Sequence, residues 1–208
     1  MDGLGTITWE KFLDDVEAIV TTSDKIGDGW EMVGDKSVPG MAYISRQVKT
    51  HVPCDYPIDE PTNREDDDWL ENLESGMAKD PFEAASKAER PLIVLHHVLW
   101  SISYSVPVLY FNGWKSDFPG CNPISVEVAQ KLTKNDQVLG YAEMSQAIHP
   151  IVGTPFLQLH PCKSQELLQH FSKSCNKVVS WLSAAAPAAL RYKLHEDYYK
   201  LTIRTVRV

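Results

Sequence analysis

Trp9, Phe12, Leu13, Val16 and Val20 recur three and four residues apart, a spacing that gathers them on one face of a helix. Thr8 stands just before them and is placed to cap that helix. The period then shortens toward two. The stretches "GWEMVG" (29–34) and "GMAYISRQVKTHV" (40–52) read as the strands of a hairpin, the second with Ala42, Ile44 and, less cleanly, Val48 on one side. "RPLIVLHHVLWSISYSVPVLYFNGW" (90–114) is too rich in β-branched and aromatic residues for a helix. It predicts two long strands with a break at Ser105–Pro107 and a turn at Asn112-Gly113. "SVEVAQKL" (125–132) predicts a short helix, 137–161 an extended segment, and 164–190 a pair of helices. Val178, Trp181, Leu182 and Ala185 form the apolar stripe of the last helix until Pro187 interrupts it. Strands gathered in the first half and helices in the second predict an α+β fold, a sheet with helices on one face. No internal repeat emerges, and the alanine cluster "AAAPAAL" (184–190) is the one compositional anomaly.

Composition adds size and solvation to this picture. A chain of 208 residues, 43% hydrophobic and with six tryptophans, supports a single domain over 1–208 with a sizeable core. The net charge of −8 is not spread evenly. Residues 55–83 hold eleven acids against Arg64 and Lys79, while the rest of the chain is close to neutral. With three prolines and the run Glu65 to Asp68, this segment reads as a solvated insertion, poorly ordered at least in part. Solubility is favoured over a docking surface for a basic partner as its explanation. No basic stripe is available to neutralise phosphates, so a nucleic-acid partner is not expected. The acidic, amphipathic N-terminus lacks the pattern of a secretory signal, and no apolar run approaches the ~18 residues of a transmembrane segment. The expected location is therefore cytoplasmic, where Cys54, Cys121, Cys162 and Cys175 are expected as thiols.

One of these thiols stands at a telling place. In "TPFLQLHPCKSQELLQHF" (154–171), Phe156, Leu157 and Leu159 read as a short buried strand, and Glu166, Leu167, Leu168 and Phe171 recur at helical spacing. Cys162 lies at the join. A helix start presents unpaired N–H groups and the positive end of the helix dipole, both of which favour a thiolate. The plain alternative is a small buried hydrophobe, the usual role of a free cysteine. No two cysteines have zinc-knuckle spacing, and His160 with Cys162 would supply only two ligands, so a metal is not expected.

"HPIVGTPFLQLHPC" (149–162), "SYSVPVLYF" (103–111) and "SWLS" (180–183) occur in order and carry a resemblance to the autophagic ubiquitin-like-conjugating (E2-like) enzyme family. The resemblance covers roughly 94–190. "VPVLYF" and "SWLS" favour its protein-conjugating branch over the branch that handles the lipid-linked modifier, although both share a similar His-Pro-Cys. It implies a ubiquitin-conjugating-enzyme-like fold, an antiparallel sheet flanked by helices, here with the acidic insertion. It also implies a thioester relay. An activating enzyme, autophagy-related protein 7, would pass the C-terminal glycine of the ubiquitin-like modifier autophagy-related protein 12 to Cys162. A lysine of the target, autophagy-related protein 5, would then receive it. Thiolate chemistry suits this, since a thioester splits one difficult amide synthesis into two easier steps. ATP would be spent by the activating enzyme.

The supporting residues are less sharply indicated. His160, two residues before Cys162, points to the same side of an extended segment and could reach the thiol, or could be a structural histidine. His149 opens "HPIVG", with a structural role ahead. Tyr104 matches a tyrosine shared within the resemblance, and its alternative is a strand aromatic in the core. Ordinary ubiquitin-conjugating enzymes place an asparagine near the cysteine to assist the oxyanion, and none lies between 136 and 175. Backbone N–H groups, Ser145, Gln146 or a histidine would have to replace it. Two other classes stay open. A cysteine hydrolase would pair Cys162 with a distant histidine, and a non-catalytic conjugating-enzyme-like module would need no reactive thiol. The C-terminal "YYKLTIRTVRV" (198–208) has a rough period of two and predicts an edge strand or a loosely held tail.

Overall fold

A computed structural model describes residues 5–53, 89–114, 123–133, 144–190 and 192–203. The acidic segment 55–83 lies outside them. Helix α1 (Trp9–Ile26) opens the fold, and Thr8 caps it by accepting the Lys11 N–H at 3.2 Å. Gly27, in a left-handed conformation with its N–H on Ser23 O, ends it. Strands β1 (Trp30–Gly34) and β2 (Ala42–Pro53) form the expected hairpin. Then follow β3 (Glu89–Ser101) and β4 (Val106–Trp114), with the break between them at 102–105. Helix α2 (Val126–Thr133) precedes a second hairpin, β5 (Met144–Ile148) and β6 (Pro155–Leu159). Helices α3 (Pro161–His170) and α4 (Lys177–Ala185), a 3-10 turn over 186–188, the short α5 (Glu196–Tyr199) and a 3-10 turn over 200–202 follow in the described residues.

The six strands make one antiparallel sheet in the order β1-β2-β3-β4-β6-β5. This is the α+β class that the pattern predicted, with one revision. The second hairpin comes late in the sequence, yet it joins the sheet beside β4, so strands are not confined to the first half. On one face Ile44, Val98, Leu109, Phe111 and Leu157 pack with Phe12, Val16 and Ile19 of α1 and with Val178, Trp181 and Leu182 of α4. Because side chains alternate along a strand, the neighbouring residues Tyr43, His97, Tyr110 and Phe156 turn to the opposite face, where their rings meet.

Two sequence expectations are corrected. Asn112-Gly113 is not a turn; both lie inside β4, opposite Leu95 and Val94 of β3. The glycine answers a close approach instead, since a Cβ at Gly113 would stand 2.9 Å from Ile124 Cδ1 and 3.0 Å from Leu190 Cδ1. The tail is not a strand over its described part. Residues 196–202 are helical, and Tyr198, fully buried, donates its hydroxyl to Asp28 Oδ2 at 2.8 Å. Among the described residues, no helix is long and apolar enough to cross a membrane.

Candidate active site

Cys162 owes its place to an abrupt change of backbone. Strand β6 ends at Leu159, His160 takes the cap position (φ −59°, ψ 130°), and Pro161 opens α3. Proline suits that first helical position because its missing N–H would have had no partner there. Cys162 therefore sits in the first turn, exposed, with the helix dipole behind it. His160 Nδ1 accepts the Cys162 N–H at 3.3 Å and lies 2.7 Å from Cys162 Sγ. A ring nitrogen that accepts a backbone N–H is unprotonated, so the neutral imidazole carries its proton on Nε2. The thiol S–H is then directed at Nδ1, a pairing that can draw off its proton. The helix beneath is held by Trp181, whose Nε1 donates to Ser164 Oγ at 3.0 Å, and by the buried Leu168.

A second wall comes from the turn between β3 and β4. Ser105 there takes a positive φ of 53°, and its carbonyl accepts the Ile7 N–H at 2.9 Å. Trp100 Nε1 donates to Ile7 O at 3.0 Å, which fixes the segment ahead of α1 against the turn. The same segment reaches α3, since a Cβ at Gly5 would come within 2.6 Å of Gln165 O. Tyr104 projects from this turn, 45% exposed, with its ring edge-on to His160 at 6.5 Å between centroids. It is thus no core strand aromatic. The structure brings Cys162, His160 and Tyr104 together.

His149 lies elsewhere. It is fully buried, and its ring stands 4.9 to 5.2 Å from those of Tyr43, His97, Tyr110 and Phe156 on the face opposite the helices. Its Nδ1 accepts the N–H groups of Ile151 (3.2 Å) and Val152 (3.0 Å), and its Nε2 meets His97 Nδ1 at 3.0 Å. Burial lowers the pKa of His149 to about 4. Burial and then the nearby His149 and His96 lower that of His97 to about 3. Sequence reasoning missed His97. Its only signal was the His96-His97 pair in a strand, which must send the two rings to opposite faces. Ser145 is held on the sheet, its Oγ 3.5 Å from Gln158 Nε2. Among the described residues, no three histidines, cysteines or carboxylates gather as a metal site.

The family model for "Autophagocytosis associated protein, active-site domain" matches residues 11–193. A protein of Homo sapiens named ubiquitin-like-conjugating enzyme ATG10 is 29% identical to this chain over 98% of it and 96% of its own length. Proteins of the same name from Arabidopsis thaliana and Dictyostelium discoideum are 31% and 36% identical. They cover 42% and 38% of this chain, and 44% and 35% of their own lengths.

Proposed function

Since the chain belongs to the autophagocytosis-associated active-site family, we propose that Cys162 is the residue through which it acts, as the thioester carrier of a ubiquitin-like modifier. The chain is an E2-like ubiquitin-like-conjugating enzyme of autophagy. In the finer reading, autophagy-related protein 7 presents the modifier autophagy-related protein 12 as a thioester, and a lysine of autophagy-related protein 5 finally receives it. The names of the relatives support this assignment over the lipid-linked branch. One observation carries the choice of residue: an exposed cysteine in the first turn of a helix, its sulfur 2.7 Å from an unprotonated imidazole nitrogen.

The steps follow from that geometry. His160 Nδ1 takes the thiol proton, and the thiolate adds to the carbonyl carbon of the incoming thioester. The tetrahedral oxyanion collapses, the activating enzyme's thiolate leaves, and the modifier is bonded to Sγ. In the second half a lysine amine adds to that carbonyl, the Cys162 thiolate departs, and the amine gives up a proton to form the isopeptide bond. With no asparagine at the usual place, the Cys162 N–H, released when His160 Nδ1 takes up the thiol proton, is a donor for the developing oxyanion. Each such donor is worth about 3 kcal/mol. The Tyr104 ring stands edge-on to His160 beside the first turn of α3.

The test is to incubate the protein with activating enzyme, modifier and ATP, and to separate it without reductant. A modifier-sized adduct that is lost with Cys162→Ala, kept with Cys175→Ala and converted to a hydroxylamine-resistant oxyester with Cys162→Ser is expected. An adduct that survives Cys162→Ala and disappears with Cys175→Ala would refute the assignment.

A further inference from the structure

The hairpin that delivers Cys162 is lightly attached to the sheet. Strands β5 and β6 pair over five residues, whereas β6 meets β4 through two backbone pairs, Tyr110 with Gln158 and Phe111 with Leu157, and one side-chain bond, Asn112 Nδ2 to Pro155 O at 3.1 Å. Leu157 and Leu159 hold the helix-side face of β6 in the core, and an attachment on the opposite face would fix the register of β6, and hence of His160 and Cys162. His149 supplies it. It lies in the turn between β5 and β6, which its backbone closes through His149 N to Thr154 O and Gly153 N to His149 O, both at 2.9 Å. Its ring is enclosed by one ring from each of four strands: Tyr43 of β2, His97 of β3, Tyr110 of β4 and Phe156 of β6.

The hydrogen bonds of that ring leave one arrangement. Nδ1 receives two backbone N–H groups, so it carries no proton. The neutral ring then bears its proton on Nε2, and that N–H donates to His97 Nδ1. His97 is in turn the Nε2–H tautomer. Had His97 offered a proton at Nδ1 instead, His149 would have to accept at Nε2 and carry a proton at Nδ1, facing two N–H groups. The turn would then lose both bonds. The Nε2–H tautomer of His97 is thus the one compatible with the two bonds that His149 Nδ1 adds to the turn.

We propose that His97 is a positioning residue for Cys162, acting from β3 through His149 to hold the β5–β6 turn and so the strand that ends at the site. The inference builds on the thioester reading, and two of its measurements do not depend on it. Long-range proton–nitrogen NMR of the unmodified protein should find His149 protonated at Nε2 alone, with His97 Nδ1 unprotonated; a proton on His149 Nδ1 would overturn the proposal. In His97→Phe, which keeps a ring and removes the acceptor, hydrogen exchange at the Ile151 and Val152 amides should rise at least tenfold while the amides of α1 and β2 stay within threefold. His97→Leu serves if the phenylalanine variant does not fold.

His97→Asn, whose side-chain carbonyl can accept from His149, should restore that protection. Loading of Cys162 from the activating enzyme should fall about tenfold in His97→Phe and recover to within threefold in His97→Asn. Unchanged exchange at Ile151 and Val152 in the acceptor-less variant, or exchange raised equally throughout the chain, would sink the positioning role. Failure of the unmodified protein to load at all would instead count against the thioester reading, while the tautomer and the exchange would still decide the attachment.

Discussion

Lowering the pH from 7.5 to 5.0 should remove several kcal/mol of stability, and three buried imidazoles set the amount. His96 points to the helix side, where its Nε2–H donates to Ala189 O at 3.0 Å and its Nδ1 has no partner among the described residues. Burial lowers its pKa to about 4, with the charge of Arg46 helping and that of Asp28 opposing. His97 and His149, on the other face, are lowered to about 3 and about 4. The phenols around them, Tyr43 and Tyr110, are pushed upward by burial and stay neutral over this range.

In the unfolded chain a histidine titrates near 6.5. The folded values lie below that, so the unfolded state binds protons first. The stabilising contribution is complete above about pH 6.5 and is lost as the pH falls toward 4. At pH 5 each imidazole costs about 2 kcal/mol, since one pKa unit is worth about 1.4 kcal/mol. Three together reach about 6 kcal/mol, comparable to the whole margin of a typical domain. Asp15, whose pKa burial raises, works the other way, but only as the pH nears its own range. Urea unfolding followed by tryptophan fluorescence is the assay, Trp30 and Trp181 being fully buried reporters. The unfolding free energy should be flat from pH 7.5 to 6.5 and then fall by about 4 kcal/mol per pH unit, the signature of three protons taken up. A slope below about 1.4 kcal/mol per unit, that of one proton, would refute the reasoning.

Other consequences concern buried joints. Asp15 accepts the N–H groups of Lys177 (2.9 Å) and Val178 (3.3 Å) at the start of α4 while Lys11 Nζ stands 2.5 Å away. Asp15→Ala should therefore cost about 3 kcal/mol in urea unfolding, with partial recovery in Asp15→Asn. Gly34 has φ +97°, and a Cβ there would stand 2.1 Å from Met41 O, so Gly34→Ala should lower stability by about 2 kcal/mol or more, read as a drop in Tm. Tyr198→Phe removes the hydroxyl that meets Asp28 and should cost about 1 to 2 kcal/mol; a neutral result would mean that the tail is not anchored there.

Much of this was legible locally. The helical spacing from Trp9 to Val20 and the cap at Thr8 appear as read, as do the first hairpin and, one residue displaced, the short helix expected over 125–132, while the helix expected from 164 starts earlier, at Pro161. Each of these depends on neighbours a few residues away. The failures depend on distant ones. Asn-Gly favours a turn by its own backbone, yet Gly113 lies in a strand because Ile124 and Leu190 press on it from elsewhere in the chain. The period of two after Tyr198 was outweighed by the partner that Asp28 offers across 170 residues of sequence. Tyr104 was weighed as a core aromatic because the break was placed at Ser105–Pro107. The strand in fact ends at Ser101, which moves Tyr104 onto the turn beside His160.

The site itself divides along the same line. His160 and Cys162 are two residues apart, and the requirement that a proline open the helix all but dictates their contact, so a sequence can show them. His97 and His149 meet across 52 residues, through a turn folded over the face of the sheet, and no spacing announces them. That asymmetry has a physical origin. A reactive thiol needs only a helix start and an adjacent base, both local, whereas holding it in register needs a strand with two sheet pairs to be tied to the core by something else. In this chain that tie is a pair of imidazoles which hold only while both are neutral. The residues that carry the chemistry and the residues that set the acid limit of the fold are therefore different ones. The acid loss of stability should track the buried imidazoles, and substitution at His160 should leave it in place.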